Sequence, residues 1–166
     1  MADDLERDIR FLEKQERILR FETFGPDAAW ELGSLLRKMA LERGAAIAID
    51  ISLRDRPLFH TALPGTSTDN AEWIRRKRNT VLRLWKSSYL VGRKLELAGR
   101  DQQEAHNLPL ADFASHGGGF PIVVGDLGCI GVVTVSGVPQ REDHAIVADG
   151  IAAFLGKDID ACRLPD

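Results

Sequence analysis

A chain of 166 residues with 44% hydrophobic and 28% charged side chains falls in the range of one ordinary globular domain with one core, so the expectation is a single domain over residues 1–166. No stretch approaches the roughly 20 uninterrupted apolar residues of a membrane helix, and the opening Met1-Ala2-Asp3-Asp4 is acidic rather than basic-then-apolar, which predicts a cytoplasmic protein without a membrane anchor. A net charge of −3 argues against a generic nucleic-acid binder, and Cys129 and Cys162 match neither a metal spacing nor a disulfide framework.

Leu5, Ile9 and Leu12 recur at helical spacing among charges, which predicts an amphipathic N-terminal helix at about 4–15. Residues 17–22 read as a short strand. Gly25-Pro26 then opens a helix, because the missing proline N–H costs nothing at the first helical position. Leu32, Leu35, Leu36 and Met39 form its buried stripe, and Gly44 is its stop.

From Ala45 the period changes to two. Ile47, Ile49, Ile51 and Leu53 share one face while Ala46, Ala48, Asp50 and Ser52 share the other, the signature of a strand. Arg54-Asp55-Arg56-Pro57 turns the chain into a partner strand over residues 58–63, with His60 inside it. Asp69 and Glu72 have the spacing of a capping box and start a long helix that should run to about Val91, with Ile74, Val81, Leu82, Trp85 and Tyr89 on the core side. Residues 92–108 carry no strong pattern, and a short helix fits residues 109–115. Two strands, 120–124 and 129–135, are joined by the turn Gly125-Asp126-Leu127-Gly128, and a last helix spans about 141–155 with Gly156 as its stop. Strands joined by hairpins rather than helical crossovers imply an α+β fold with an antiparallel sheet.

Charge is unevenly spread. Residues 73–100 hold nine basic side chains against the single acid Glu96, whereas the first thirty residues are acidic. The basic segment either pairs with acidic segments of the same or a neighbouring subunit, or takes an anionic ligand. Its aromatics fall on the core face instead of interleaving with the arginines, which speaks against base stacking.

The run from His116 to His144 carries the candidate site. Gly117-Gly118-Gly119 can turn backbone N–H groups toward an anion, or simply make a tight entry into the following strand. His116 stands beside that turn as an acid, a base or a metal ligand, or as a cap on a nearby carbonyl. His144 lies on the apolar stripe of the last helix, where a polar group needs a partner, and Ser136 or His116 can supply it. Asp143 beside it suits a capping role in the first turn. Adjacent Asp143 and His144 on one helix fit a Ser-His-Asp triad poorly, and Ser136 is in no nucleophile elbow. Asn70, Trp73 and Lys77, at spacings of three and four, can line a pocket, or Trp73 can pack at an interface with Lys77 across its ring. His60, His106, His116 and His144 are too scattered for a metal site.

Taken together, Asp69-Asn70-Ala71-Glu72-Trp73 with Lys77, Ser87-Ser88, His116-Gly117-Gly118-Gly119-Phe120-Pro121, Gly128 to Gly131, Ser136-Gly137 and Asp143-His144 resemble a family within the haem-degrading-domain group related to GlcG and HbpS. The resemblance covers roughly residues 44–155. It implies a profilin-like fold, a five-stranded antiparallel sheet flanked by helices, usually assembled as a homo-oligomer, and it brings haem or another tetrapyrrole into view as a cofactor.

The functional expectation is an oligomeric small-ligand-binding or sensing protein. His116, Gly117, Gly118, Gly119, Ser136, His144, Asn70 and Lys77 would hold an anionic ligand or a tetrapyrrole without catalysis. The alternative is a homo-oligomeric scaffold or partner-binding protein with no small-molecule ligand. No residue spacing demands an enzyme.

Overall fold

The computed structural model describes residues 1–165. Its elements are α1 (Ala2–Ile18), α2 (Pro26–Glu42), β1 (Ala48–Leu53), β2 (Pro57–Ala62), α3 (Thr68–Leu84), α4 (Ser88–Ala98), α5 (Gln102–His106), β3 (Gly119–Val124), β4 (Gly128–Ser136) and α6 (Gln140–Leu155). The strands form one antiparallel sheet in the order β2-β1-β4-β3.

The α+β class is as expected, but the sheet has four strands and not five. Residues 17–22 supply no strand, because α1 continues to Ile18 and only Phe21 makes an isolated bridge to Val124. The physical reason is that Leu19 and Phe21 are buried at a spacing of two, as in a strand, while Phe21 alone gains a ladder bond, from its N–H to the Val123 carbonyl at 2.9 Å.

One face of the sheet meets α2 and α6. Ile47, Ile49 and Ile51 point there, with Phe120, Ile122, Val133 and Val135 from the other central strands. Leu32 and Leu36 of α2 are fully buried against them, each contributing about 1.5–3 kcal/mol of hydrophobic stabilisation. The other face is covered by α3, which lies over β4, β3 and β1. There the alternation of β1 and β4 delivers Asp50, Ser52, Thr134 and Ser136 beneath the helix, so this layer is unusually polar.

The expected single helix from residue 69 to 91 breaks in two. Trp85 adopts a left-handed conformation (φ 57°) at the end of α3, and Ser87 then caps α4, its hydroxyl accepting from Leu90 N–H at 3.3 Å. Tyr89 therefore reaches the core from α4, where it packs with Leu90 against Ile9 and Leu12 of α1. The capping box of α3 is also one pair earlier than expected, made by Ser67 and Asn70 instead of Asp69 and Glu72. Residues 109–115 form a turn and not a helix, while α5 occupies part of the segment that carried no pattern.

Much of the basic segment is paired within the chain. Lys86 meets Glu16 and Lys94 meets Glu13, both on α1, and Arg75 bridges Glu72 and Asp112. Acidic α1 thus neutralises part of the segment from α3 to α4.

Candidate functional site

The N-terminal half of α3, the loop before β3, the end of β4 and the start of α6 enclose a cleft of about 260 Å³. Its lining includes Asn70, Trp73, Lys77, His116, Ser136 and Asp143. Asn70 Nδ2 donates to Ser136 Oγ at 3.2 Å, while Asn70 Oδ1 accepts from Ser67 N–H at 2.9 Å as part of the helix cap. Trp73 and His116 stand edge to face at 5.0 Å and form the wall. Arg76, not Lys77, lies over the Trp73 ring, 4.2 Å from its centroid.

Lys77 turns inward. Its Nζ donates to Asp143 Oδ2 at 2.9 Å and to the Val135 carbonyl at 3.0 Å, and both side chains are only 3% exposed. Burial pulls the Lys77 ammonium below its ordinary range and the Asp143 carboxyl above its own, and their mutual attraction opposes both changes. Asp143 Oδ1 also accepts from Val138 N–H at 3.2 Å. Its capping role is thus directed at the loop before α6. A charged pair sunk at the floor of an opening cleft is a costly arrangement that hydrophobic packing alone does not require.

The glycine run makes that pair possible. Gly118 has φ +129°, and a Cβ there would collide with the Val135 carbonyl and approach Lys77 Nζ to 2.8 Å. The N–H of Gly117 is taken by Gln140 Oε1 at 3.2 Å and that of Gly119 by Ser88 Oγ at 3.0 Å. Two of the three N–H groups of the run are thus engaged by side chains within the chain. His116 lies at the mouth; partial burial, then the Lys77 and Arg76 charges, hold its imidazole below the usual histidine range.

His144 is not in the cleft. Its ring is fully buried between Tyr89 and Phe120, Nε2 faces Gln15 Oε1 at 2.8 Å, and desolvation pushes its pKa down to about 3. The partner is thus a residue of α1, 129 positions away, and neither Ser136 nor His116. With Ser136 held by Asn70 and Asp143 by Lys77, these residues form no Ser-His-Asp relay with His144. Asp69, Gly137, Val138 and Gln140 complete the lining and were not expected there; Gln140 carries no periodic or spacing signal that would have singled it out.

The comparisons with known proteins agree with this architecture. Residues 24–152 match the family described as haem degrading protein HbpS-like. The chain belongs to that family. A UPF0303 protein of Rhizobium meliloti is 51% identical over 161 residues, covering 97% of this chain and 98% of the relative. A UPF0303 protein of Sinorhizobium medicae is 48% identical over 161 residues, with the same coverage of both chains. The crystal structure of the Ybr137w protein superposes with a TM-score of 0.83 at 31% identity, covering 89% of this chain and 87% of that one. HbpS itself shares the fold, with a TM-score of 0.62 at 17% identity over 82% of this chain and 93% of that one. So does the PduOC:heme complex, with a TM-score of 0.67 at 16% identity over 79% and 94% of the two chains.

A haem does not fit the cleft of one HbpS-like chain of this sequence. About 260 Å³ is small beside the roughly 300–1,000 Å³ of sites for drug-sized ligands, and its walls carry Asp69, Asn70, Ser136 and Asp143 where haem calls for apolar surface. Of the two expected histidines only His116 can reach a ligand. The wider groove between α1 and the β3–β4 hairpin, about 870 Å³, offers only Cys129 as an axial donor, and burial raises that thiol's pKa. Among the described residues no group of three or more His, Cys, Asp or Glu side chains is placed to hold a metal ion, and no helix is long and apolar enough to cross a membrane.

Proposed function

We propose that this protein is a small-ligand-binding or sensing module whose ligand enters the cleft beside the wall formed by Trp73 and His116. The observation that carries the reading is the buried Lys77–Asp143 pair at the cleft floor. The N–H that Lys77 keeps beyond its bonds to Asp143 and the Val135 carbonyl, together with the Arg76 guanidinium over Trp73, would meet an anionic group, Asn70 and Ser136 offer hydrogen bonds beside it, and the Trp73 and His116 rings cover a flat apolar part. The volume suits an organic acid of a few carbons better than a tetrapyrrole, which would need a second wall from a partner subunit. No nucleophile is paired with a base in the cleft, so binding without chemistry is the simpler reading.

Trp73 makes the test direct. Titration of small organic acids, haem and cobalamin should change tryptophan fluorescence and raise the melting temperature for at least one organic acid, and Trp73→Phe with His116→Ala should weaken that binding about tenfold or more without loss of fold. Absence of any stabilising ligand across the panel refutes the reading.

A homo-oligomeric scaffold is the second reading. It is favoured by the sheet edge at β2, where Trp30 is 68% exposed and packs edge to face on Phe59 at 5.9 Å. Light scattering that returns a stable monomer removes it.

A further inference from the structure

On the other flank of α3 a second cleft of about 400 Å³ is lined by Asp50, Ser52, Arg54, Arg56, His60 and Arg78. Its organisation starts with Asp50, whose position on β1 places it on the α3 face of the sheet with a side chain only 6% exposed. Both carboxylate oxygens are occupied from within the protein. Oδ1 accepts from Ser52 Oγ at 2.6 Å and from Arg78 Nη1 at 3.3 Å, and Oδ2 is 3.2 Å from His60 Nδ1. The His60 contact is a cross-strand pair, because His60 lies opposite Asp50 in the β1–β2 register.

Asp50 therefore acts as an anchor for two donors. With Nδ1 engaged, His60 keeps Nε2 for a ligand, and its side chain is 48% exposed. Arg78 uses one amino group on Asp50 and is 27% exposed, leaving the rest of its guanidinium fork for an oxyanion. Arg54 borders the same space, steadied by the carbonyls of Cys129 and Leu82 and by the Trp85 ring, and Arg56 stands at the rim beside Asp55. Three arginines and a histidine face two carboxylates, one of which is already neutralised at the floor. An isolated structural ion pair would need neither the oriented histidine nor the surrounding arginines.

We propose that this cleft is a second ligand site, which holds the phosphate group of a small phosphorylated molecule between Arg78, His60 and Arg54. It is separate from the Trp73–His116 cleft, since no residue lines both. Phosphate suits it better than a single carboxylate because a dianion uses several cationic donors at once.

Inorganic phosphate is the probe, compared with acetate and chloride at matched ionic strength, and phosphorus NMR line broadening and melting temperature are the readouts. A saturable effect of phosphate is expected, weakened about tenfold by His60→Gln and by Arg78→Gln, the loss of one charge-assisted bond each, and unchanged by Trp73→Phe. His60→Gln lies on an exposed edge strand and keeps the test valid if Arg78→Gln fails to fold. No saturable effect, an equal effect of acetate, binding indifferent to His60→Gln, or binding lost in Trp73→Phe would each overturn the proposal.

Discussion

Replacing Lys77 by methionine tests whether the Lys77–Asp143 pair is as dry as its geometry states. Methionine fills much of the same volume but removes the charge, leaving Asp143 beneath α3 with only the backbone donors of the Gly137–Val138 loop. At 2.9 Å and 3% exposure for each side chain, the pair falls in the buried class, for which removing one partner costs about 3–5 kcal/mol. For a domain of this size that is a fall in melting temperature on the order of 10 °C. Lys77→Met with Asp143→Asn should recover much of the loss, because asparagine is neutral and still offers Val138 an acceptor. Acidity gives a second signature. The lone carboxyl of Lys77→Met titrates above its unfolded range, so the penalty is complete at pH 7 and disappears as pH falls toward the unfolded Asp value of about 4. Urea unfolding at several pH values measures both effects. A single-mutant cost below about 1 kcal/mol, or a cost independent of pH, would show that Asp143 stays hydrated and would refute the argument.

His144 predicts an acid limb of its own. Its folded pKa is pushed down from 6.5 to about 3, so the unfolded chain binds the proton first and stability falls as pH drops from about 6.5 toward 3, by at most about 5 kcal/mol. His144→Leu should flatten that slope in urea titrations, and an unchanged slope between pH 6.5 and 4 contradicts the burial. Thr134 has a buried hydroxyl without a hydrogen-bond partner among the described residues, so Thr134→Val should raise stability by about 1 kcal/mol; calorimetry showing destabilisation would mean that the hydroxyl finds a partner.

Local chemistry made much of the fold readable. Pro26 at a helix start, Gly44 and Gly156 at helix ends, and the alternation from Ile47 to Leu53 all found their expected roles, since each depends on neighbours within a few residues. The break at Trp85 escaped because a left-handed tryptophan is disfavoured locally and is held there by tertiary packing over Gly128. Likewise, the strand expected at residues 17–22 shrank to one bridge because it lies beside β3 and not within a ladder.

The site divides along the same line. Sequence alone marked Asn70, Lys77, His116 and Ser136 as polar residues at informative spacings, and the fold brings these four to one cleft. Sequence also determined that His144 needs a partner, but only the tertiary structure decided which one. Docking of α1 against α4 brings Gln15 to the imidazole on α6. Lys77, read as one cation in a basic helix, became the buried half of an ion pair because Gly118 lets β3, β4 and α3 approach closely enough for Asp143 to meet it. Periodicity specifies which face a residue occupies; which charge waits on the opposite element is settled by packing.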